Sequence, residues 1–210
     1  MESGLRFAAI DIGSNAIRLL FTRVFVKKNE SPYFIKESLI RMPLRLGHDA
    51  FTTGNISEKN CDCFVSTIIG FKNLIDAYNP ISYRACATAA MRNSANGPAL
   101  VRRVEKVSSI NLEIISGQEE ATMILSKNIN QYLRTKKNYL HIDVGGGSTE
   151  LTIISKGKKI TSKSYSIGSV RLLENKVQES YWEVIHDWIR KNTESLVPIK
   201  AIGSGGNINK

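Results

Sequence analysis

The chain has 210 residues, 42% of them apolar, and its 29 Lys and Arg against 19 Asp and Glu give a formal net charge of +10. The excess is concentrated late, since residues 126–210 hold 14 basic against 7 acidic side chains, a field that draws any polyanion or is simply solvated. No apolar run approaches the roughly 18 residues of a membrane span, no leader pattern opens the chain, and no nucleic-acid module or interleaved basic and aromatic platform accompanies the charge.

In chain order, β-forming runs at 5–12, 16–26 and 33–41 are separated by turn-prone stretches such as Lys28–Pro32. A helix is predicted over 57–78, capped by Ser57, with Cys61, Phe64, Val65, Ile68 and Ile75 on one face and Asn79-Pro80 as its stop. A strand at 81–87, a helix at 97–107 led by Pro98 and a strand at 111–115 follow. The next helix runs from Gly117 to about Tyr132 and ends in the polar stretch 134–138. The order then restarts, with strands at 139–144, 149–155 and 158–166, helices at 168–175 and 179–196, and a strand at 199–202. Three strands followed by alternating helix and strand is the order of a ribonuclease-H-like half-domain. The chain therefore reads as α/β, with one such half-domain over 1–125 and a second, incomplete one over 126–210.

The most informative segment is His141–Leu151, in which Asp143 ends an apolar strand and Gly145, Gly146, Gly147 and Ser148 follow. Glycines let a backbone approach an anion closely and turn successive N–H groups toward it, and the carboxylate can hold a divalent cation through its water shell. A bare hairpin turn is the competing reading. The same grammar occurs at Phe7–Asn15, with Asp11, Gly13, Ser14 and Asn15, and a third glycine loop spans Gly203, Ser204, Gly205, Gly206 and Asn207. Repetition suggests two similar half-domains closing on one phosphorylated ligand.

Other candidates are read against plainer roles. Ser116 and Glu119 have capping-box spacing, which leaves Glu120 in the first helical turn, ionised beside the macrodipole, either as a general base or as a dipole partner only. Thr88 can cap a short turn that directs Arg92 at phosphate oxygens, unless Arg92 is merely solvated. Glu150 follows the triple glycine, as a cation-binding or a surface carboxylate. Cys61, Cys63 and Cys86 have no histidine at ligand spacing, which suggests reduced thiols in the cytoplasm. His48, His141 and His186 form no recognisable triad, and His141 reads as a core or edge residue.

Seven blocks in order resemble the exopolyphosphatase and guanosine pentaphosphate phosphatase family of the actin, sugar kinase and Hsp70 superfamily. They are DIGSNAIRLL from Asp11, RLGHDAFTTGNIS from Arg45, ATAAMRNSANG from Ala87, IISGQEEA from Ile114, HIDVGGGSTEL from His141, SIGSVRL from Ser166 and AIGSGGN from Ala201. Family members continue beyond the position of Lys210, so a C-terminal truncation is expected. The resemblance implies Glu120 as the base that activates water, Arg92 and Asp143 as catalytic partners, and Mg²⁺ near Asp143 and Glu150. Asp11 and the three glycine loops would bind phosphate. The implied activity is hydrolysis of the terminal phosphoanhydride of inorganic polyphosphate, or of the 5′ γ-phosphate of guanosine pentaphosphate. A non-hydrolysing sensor of polyphosphate or an alarmone, and an ATP-dependent kinase of the superfamily, are the alternatives. Expected partners are those phosphate compounds, with neither nucleic acid nor membrane; oligomeric state is open, a homodimer being one arrangement.

Overall fold

The computed structural model describes residues 4–27, 30–123, 137–205 and 208. The chain divides into two compact units, Met1–Ile114 and Ile115–Lys210.

In the first unit, β1 (Leu5–Ile12), β2 (Ile17–Phe25) and β3 (Tyr33–Met42) form an antiparallel meander. The strands β4 (Ser82–Ala87) and β5 (Leu112–Ile114) add in parallel, giving the order β3-β2-β1-β4-β5. One face of the meander supplies Ala8, Ile10, Ile12, Ile17, Leu19 and Phe21 to the core. Helix α2 (Glu58–Tyr78) contributes Cys61, Phe64, Val65, Ile68, Phe71 and Ile75 at three- and four-residue spacing, the stripe expected from the sequence with Phe71 added. Ser57 caps it by accepting from Asn60 N, and Asn79 ends it in the left-handed region at φ 50°. Helix α4 (Gly97–Ser108), with Pro98 in its first turn, buries Leu100 and Val104.

Two short helices complete this unit. Helix α3 (Ala89–Arg92) follows β4, and α1 (Leu46–Thr52) precedes α2. Sequence periodicity missed α1: seven residues hold too few turns for a stripe, and Gly47 at the second position is a poor helix former. Asp49 of α1 anchors the start of α2, its Oδ2 accepting from Ser57 N (2.9 Å), Ser57 Oγ (2.6 Å) and Asn60 Nδ2 (2.8 Å). Partial burial opposes its ionisation, but the bonds from Ser57 and Asn60 prevail and hold the carboxyl below the ordinary carboxylate range.

The second unit opens with helix α5, helical over residues 117–123, and the expected continuation to Tyr132 lies outside the described residues. Strands β6 (Asn138–Val144), β7 (Thr149–Ser155) and β8 (Lys158–Tyr165) form an antiparallel meander, and β9 (Ile199–Ser204) pairs with β6 in parallel. The order β8-β7-β6-β9 repeats that of the first four strands. Helix α6 (Ser169–Leu173) precedes α7 (Ser180–Thr193), which ends in a 3₁₀ turn at Glu194–Leu196. Tyr181, Ile185, Trp188 and Ile189 of α7 pack on Leu140, Leu151, Ile153 and Tyr165 from one sheet face. The opposite face buries Tyr139 and Ile154 with Ile202 at one end of the strands.

The Asp49 anchor should matter for stability in a pH-dependent way. A depressed native pKa stabilises the fold above the ordinary carboxylate pKa, and that share is lost as pH falls through the native value. Asp49→Ala should cost about 1–2 kcal/mol at neutral pH, near the lower end because solvent screens the site. The deficit should shrink below about pH 4, as urea unfolding of the variant and the parent would show.

Candidate active site

Both Asp-Gly loops close antiparallel hairpins with the same hydrogen bond. Gly13 N donates to Ala16 O at 3.1 Å, and Gly145 N to Ser148 O at 2.9 Å. The last ladder pairs are Ile12 with Ile17 and Val144 with Thr149. The triple glycine is therefore a hairpin connection and a nest of amides at once. Among the described residues, the N–H groups of Ser14, Asn15, Gly146, Gly147 and Ser148 donate to no protein acceptor. Successive amides without a protein acceptor, in each loop taken by itself, are suited to an anion. Ser14 and Ser148 are buried, at 6% and 5% exposure, so their backbone is held and not fraying.

Flanking helices pin each loop. Gly47 N of α1 donates to Ser14 O at 2.8 Å, and a Cβ on Gly47 would lie 2.6 Å from Ser14 Cβ, so only glycine permits this approach. In the second unit, Ser169 N donates to Gly145 O (3.1 Å), Val170 N to Gly146 O (2.8 Å) and Arg171 Nε to Gly147 O (2.9 Å).

The hairpin register decides what each aspartate faces. Asp11 lies opposite Arg18, and the two form an ion pair at 2.7 Å with both side chains about half exposed. Asp143 lies opposite Glu150, so the equivalent position carries a second carboxylate. Glu150 is 2% exposed and accepts from Ser164 Oγ at 2.8 Å. Asp143 Oδ1 accepts from Ser204 Oγ. Gly205 sits next to it at φ 95°, where a Cβ would come within 2.6 Å of Val144 O and 3.1 Å of Asp143 Oδ1. The described part of the third glycine loop, with Gly203, thus abuts Asp143; Gly206 and Asn207 lie outside the described residues.

Like charges directly opposed across a ladder repel, and burying one of them raises the cost. A divalent cation relieves both terms. No group of three or more His, Cys, Asp or Glu side chains at ligating distance occurs among the described residues. One or two carboxylates with retained waters suit Mg²⁺.

Glu120 lies in the second unit, in the first turn of α5. Glu119 N donates to Ser116 Oγ at 3.1 Å, so Ser116 is the cap, and Glu120 N makes the first helical bond to Ser116 O at 3.0 Å. The Glu120 side chain is half-buried and its Oε2 is shielded from solvent. Arg92, half-buried, ends α3 in the first unit. Thr88 precedes that helix but does not cap it: its hydroxyl and its N–H both go to Ile12 O, at 3.3 and 3.1 Å. The parallel pairing of Ile12 with Ala87 brings that carbonyl closer than the helix amides, so Thr88 ties α3 to the strand leading into the first loop.

Four participants escaped the sequence reading. Arg18 was findable, because Asp11 to Arg18 and Asp143 to Glu150 share one hairpin spacing. Gly47 and Ser164 carry no local signal. Arg171 lies in a quoted motif but had no assigned role. His141, expected in the core or at an edge, is 2% exposed, and its Nε2 has no hydrogen-bond partner among the described residues. Burial lowers its pKa, with the nearby Asp143 acting the other way.

Comparison with known proteins fits this geometry. The profile of the Ppx/GppA phosphatase family matches residues 24–197, and the chain belongs to that family. The bifunctional 3-dehydroquinate synthase/phosphatase of Fusobacterium nucleatum is 31% identical over 210 residues, covering 93% of this chain and 31% of that protein. Exopolyphosphatase 1 of Mycobacterium tuberculosis is 26% identical over 148 residues, covering 70% and 42%. The chain thus spans about a third to two-fifths of the length of these relatives. An exopolyphosphatase from Cytophaga hutchinsonii superposes with a TM-score of 0.79 at 26% identity, over 97% of this chain and 68% of that one. The Aquifex aeolicus family member gives 0.70 at 24% identity over 95% and 66%, which bears on the fold alone. The α/β fold with two sheets expected from sequence is the fold of these neighbours.

Two measurements check the electrostatics. Without divalent cations, Glu150→Gln should be more stable than the parent by about 0.2–1 kcal/mol, since it removes one of two opposed charges and keeps an acceptor for Ser164. Added MgCl₂ should raise the parent's melting temperature and leave the variant's almost unmoved. For His141, the unfolded state binds a proton near pH 6.5 before the native state does, so stability should fall as pH drops below that value. His141→Gln should flatten the slope of unfolding free energy between pH 7.5 and 5.5.

Proposed function

We propose that this chain belongs to a cytoplasmic Mg²⁺-assisted phosphohydrolase that removes the terminal phosphoryl group of inorganic polyphosphate or the 5′ γ-phosphate of guanosine pentaphosphate. The single observation that carries the reading is the opposed Asp143–Glu150 pair at the foot of a loop whose amides point to no protein acceptor. Family membership and the phosphatase and exopolyphosphatase names of the relatives support a phosphoanhydride substrate. Three free cysteines and the lack of a helix long and apolar enough to cross a membrane, among the described residues, agree with the compartment.

Bound Mg²⁺ would supply charge neutralisation on the phosphate oxygens beside Asp143 and Glu150. The amides of Gly146, Gly147 and Ser148 and those of Ser14 and Asn15 would hold non-bridging oxygens, and Ser204 keeps Asp143 oriented through its hydroxyl. Glu120 takes a proton from the attacking water as oxygen bonds to the terminal phosphorus. The bond from that phosphorus to the bridging oxygen breaks, releasing orthophosphate and the shortened chain or guanosine tetraphosphate, with no phosphoenzyme. Arg92 would neutralise the equatorial charge of the phosphoryl group in transfer.

The test is phosphate release from polyphosphate and from guanosine pentaphosphate, side by side with Mg²⁺, by the full-length protein. Glu120→Gln should lower turnover roughly 10²- to 10⁴-fold and leave ligand affinity nearly intact, because shape is kept and proton acceptance is lost. Glu119→Gln should mainly lower melting temperature. Undiminished release by Glu120→Gln would remove the base from the mechanism. Binding without release by the parent would favour a sensor, and ADP formation that needs a second substrate would favour a kinase.

A further inference from the structure

Three successive carbonyls of the triple-glycine loop are engaged by three successive residues of α6. Gly145 O accepts from Ser169 N, Gly146 O from Val170 N and Gly147 O from Arg171 Nε. A peptide unit is planar and trans, so its C=O and the following N–H point in opposite directions. Fixing those carbonyls therefore fixes the N–H groups of Gly146, Gly147 and Ser148. These are the same three amides that donate to no protein acceptor among the described residues. The approach is close: a Cβ on Gly168 would fall 2.5 Å from the carbonyl carbon of Gly146 and 2.6 Å from Gly147 N.

The first two contacts come from backbone donors, which any residue at 169 and 170 except proline supplies. The third depends on a side chain. Glycine peptides rotate with little steric resistance, so the Arg171 bond is the side-chain restraint on the rotation of the Gly147–Ser148 unit. The first loop has side chains at Ser14 and Asn15, and its recorded pin is the backbone donor Gly47 N.

We propose that Arg171 is a positioning residue, aiming the Ser148 N–H at a phosphate oxygen of the ligand through its bond to Gly147 O. This rests on the phosphate-cradle reading of the loop. The atom that matters is Nε, the fourth along the side chain. Lysine places a methylene at that point and its ammonium one atom farther, whereas glutamine places its amide nitrogen there. Geometry and charge are thereby separable in one series.

The experiment compares the full-length protein with Arg171→Ala, Arg171→Lys and Arg171→Gln. Calorimetric binding of tripolyphosphate in Mg²⁺, steady-state hydrolysis of polyphosphate, and the ¹H–¹⁵N resonance of Ser148 without ligand are measured on each. Ala and Lys should weaken tripolyphosphate binding and raise KM roughly tenfold, with a smaller change in kcat, the scale of one charge-assisted hydrogen bond. Gln should recover most of the affinity, and the Ser148 resonance should move in Ala and Lys and stay near its place in Gln. Recovery by Lys and not by Gln would overturn the inference in favour of a direct charge on the ligand. Equal affinity in all four proteins would also overturn it. If the parent bound no tripolyphosphate, the cradle reading itself would fall, while the Ser148 resonance would still report whether Arg171 orients the loop.

Discussion

The register of two antiparallel hairpins governs the site. In each, the ladder ends one residue before a glycine whose N–H reaches back to the carbonyl three residues on, and the side-chain period of two then decides which residue confronts the aspartate. A slip of one residue that turned β6 over against β7 would put Asp143 and Glu150 on opposite faces and carry Leu140 out of the core under α7. The apolar packing that stabilises the second unit and the opposition of Asp143 and Glu150 are fixed by the same ladder.

The two repeats share this frame and differ in charge. Arg18 neutralises Asp11 in the first, at an exposed position where such a pair contributes little to stability. In the second, the buried Glu150 lies opposite Asp143. The repeated strand order accounts for the shared hairpin frame, while the residues opposite the aspartates, Arg18 and Glu150, and the loop residues themselves differ. Tight turns alone would have required neither a buried carboxylate nor a helix that ties down each carbonyl in succession.

How much of this was legible in the sequence depended on whether the cause was local. Strands with a two-residue period and the long amphipathic α2 were read nearly to the residue, because Phe64, Ile68 and Ile75 show the buried face themselves. The glycine loops were found because carboxylate and glycine lie adjacent in the chain. Helix α1 was lost because its stability comes from Asp49 reaching forward to Ser57 and Gly47 reaching back to Ser14, contacts with no periodic trace. Thr88 was given the job its local sequence suggests, a cap, while the parallel neighbour β1 offered a better acceptor. Ser164 and Arg171 act from across a strand and from a following helix, and only the fold makes them neighbours of Glu150 and Gly147.

The two faces of the second sheet differ in composition. Under α7 the buried cluster is apolar, with Leu140, Leu151, Ile153 and Tyr165 at its centre. On the other face the composition changes along the strands, from Tyr139 and Ile154, through His141 and Thr152 with Ile202 beside His141, to Asp143 and Glu150 at the loop end. His141 and Thr152 are 2% and 1% exposed, as deeply buried as the core. Polar groups at that depth lower stability unless paired. Their position one row behind the two carboxylates gives that end of the sheet a polar interior, in which a buried Glu150 remains compatible with the fold, while the face under α7 carries the larger apolar cluster.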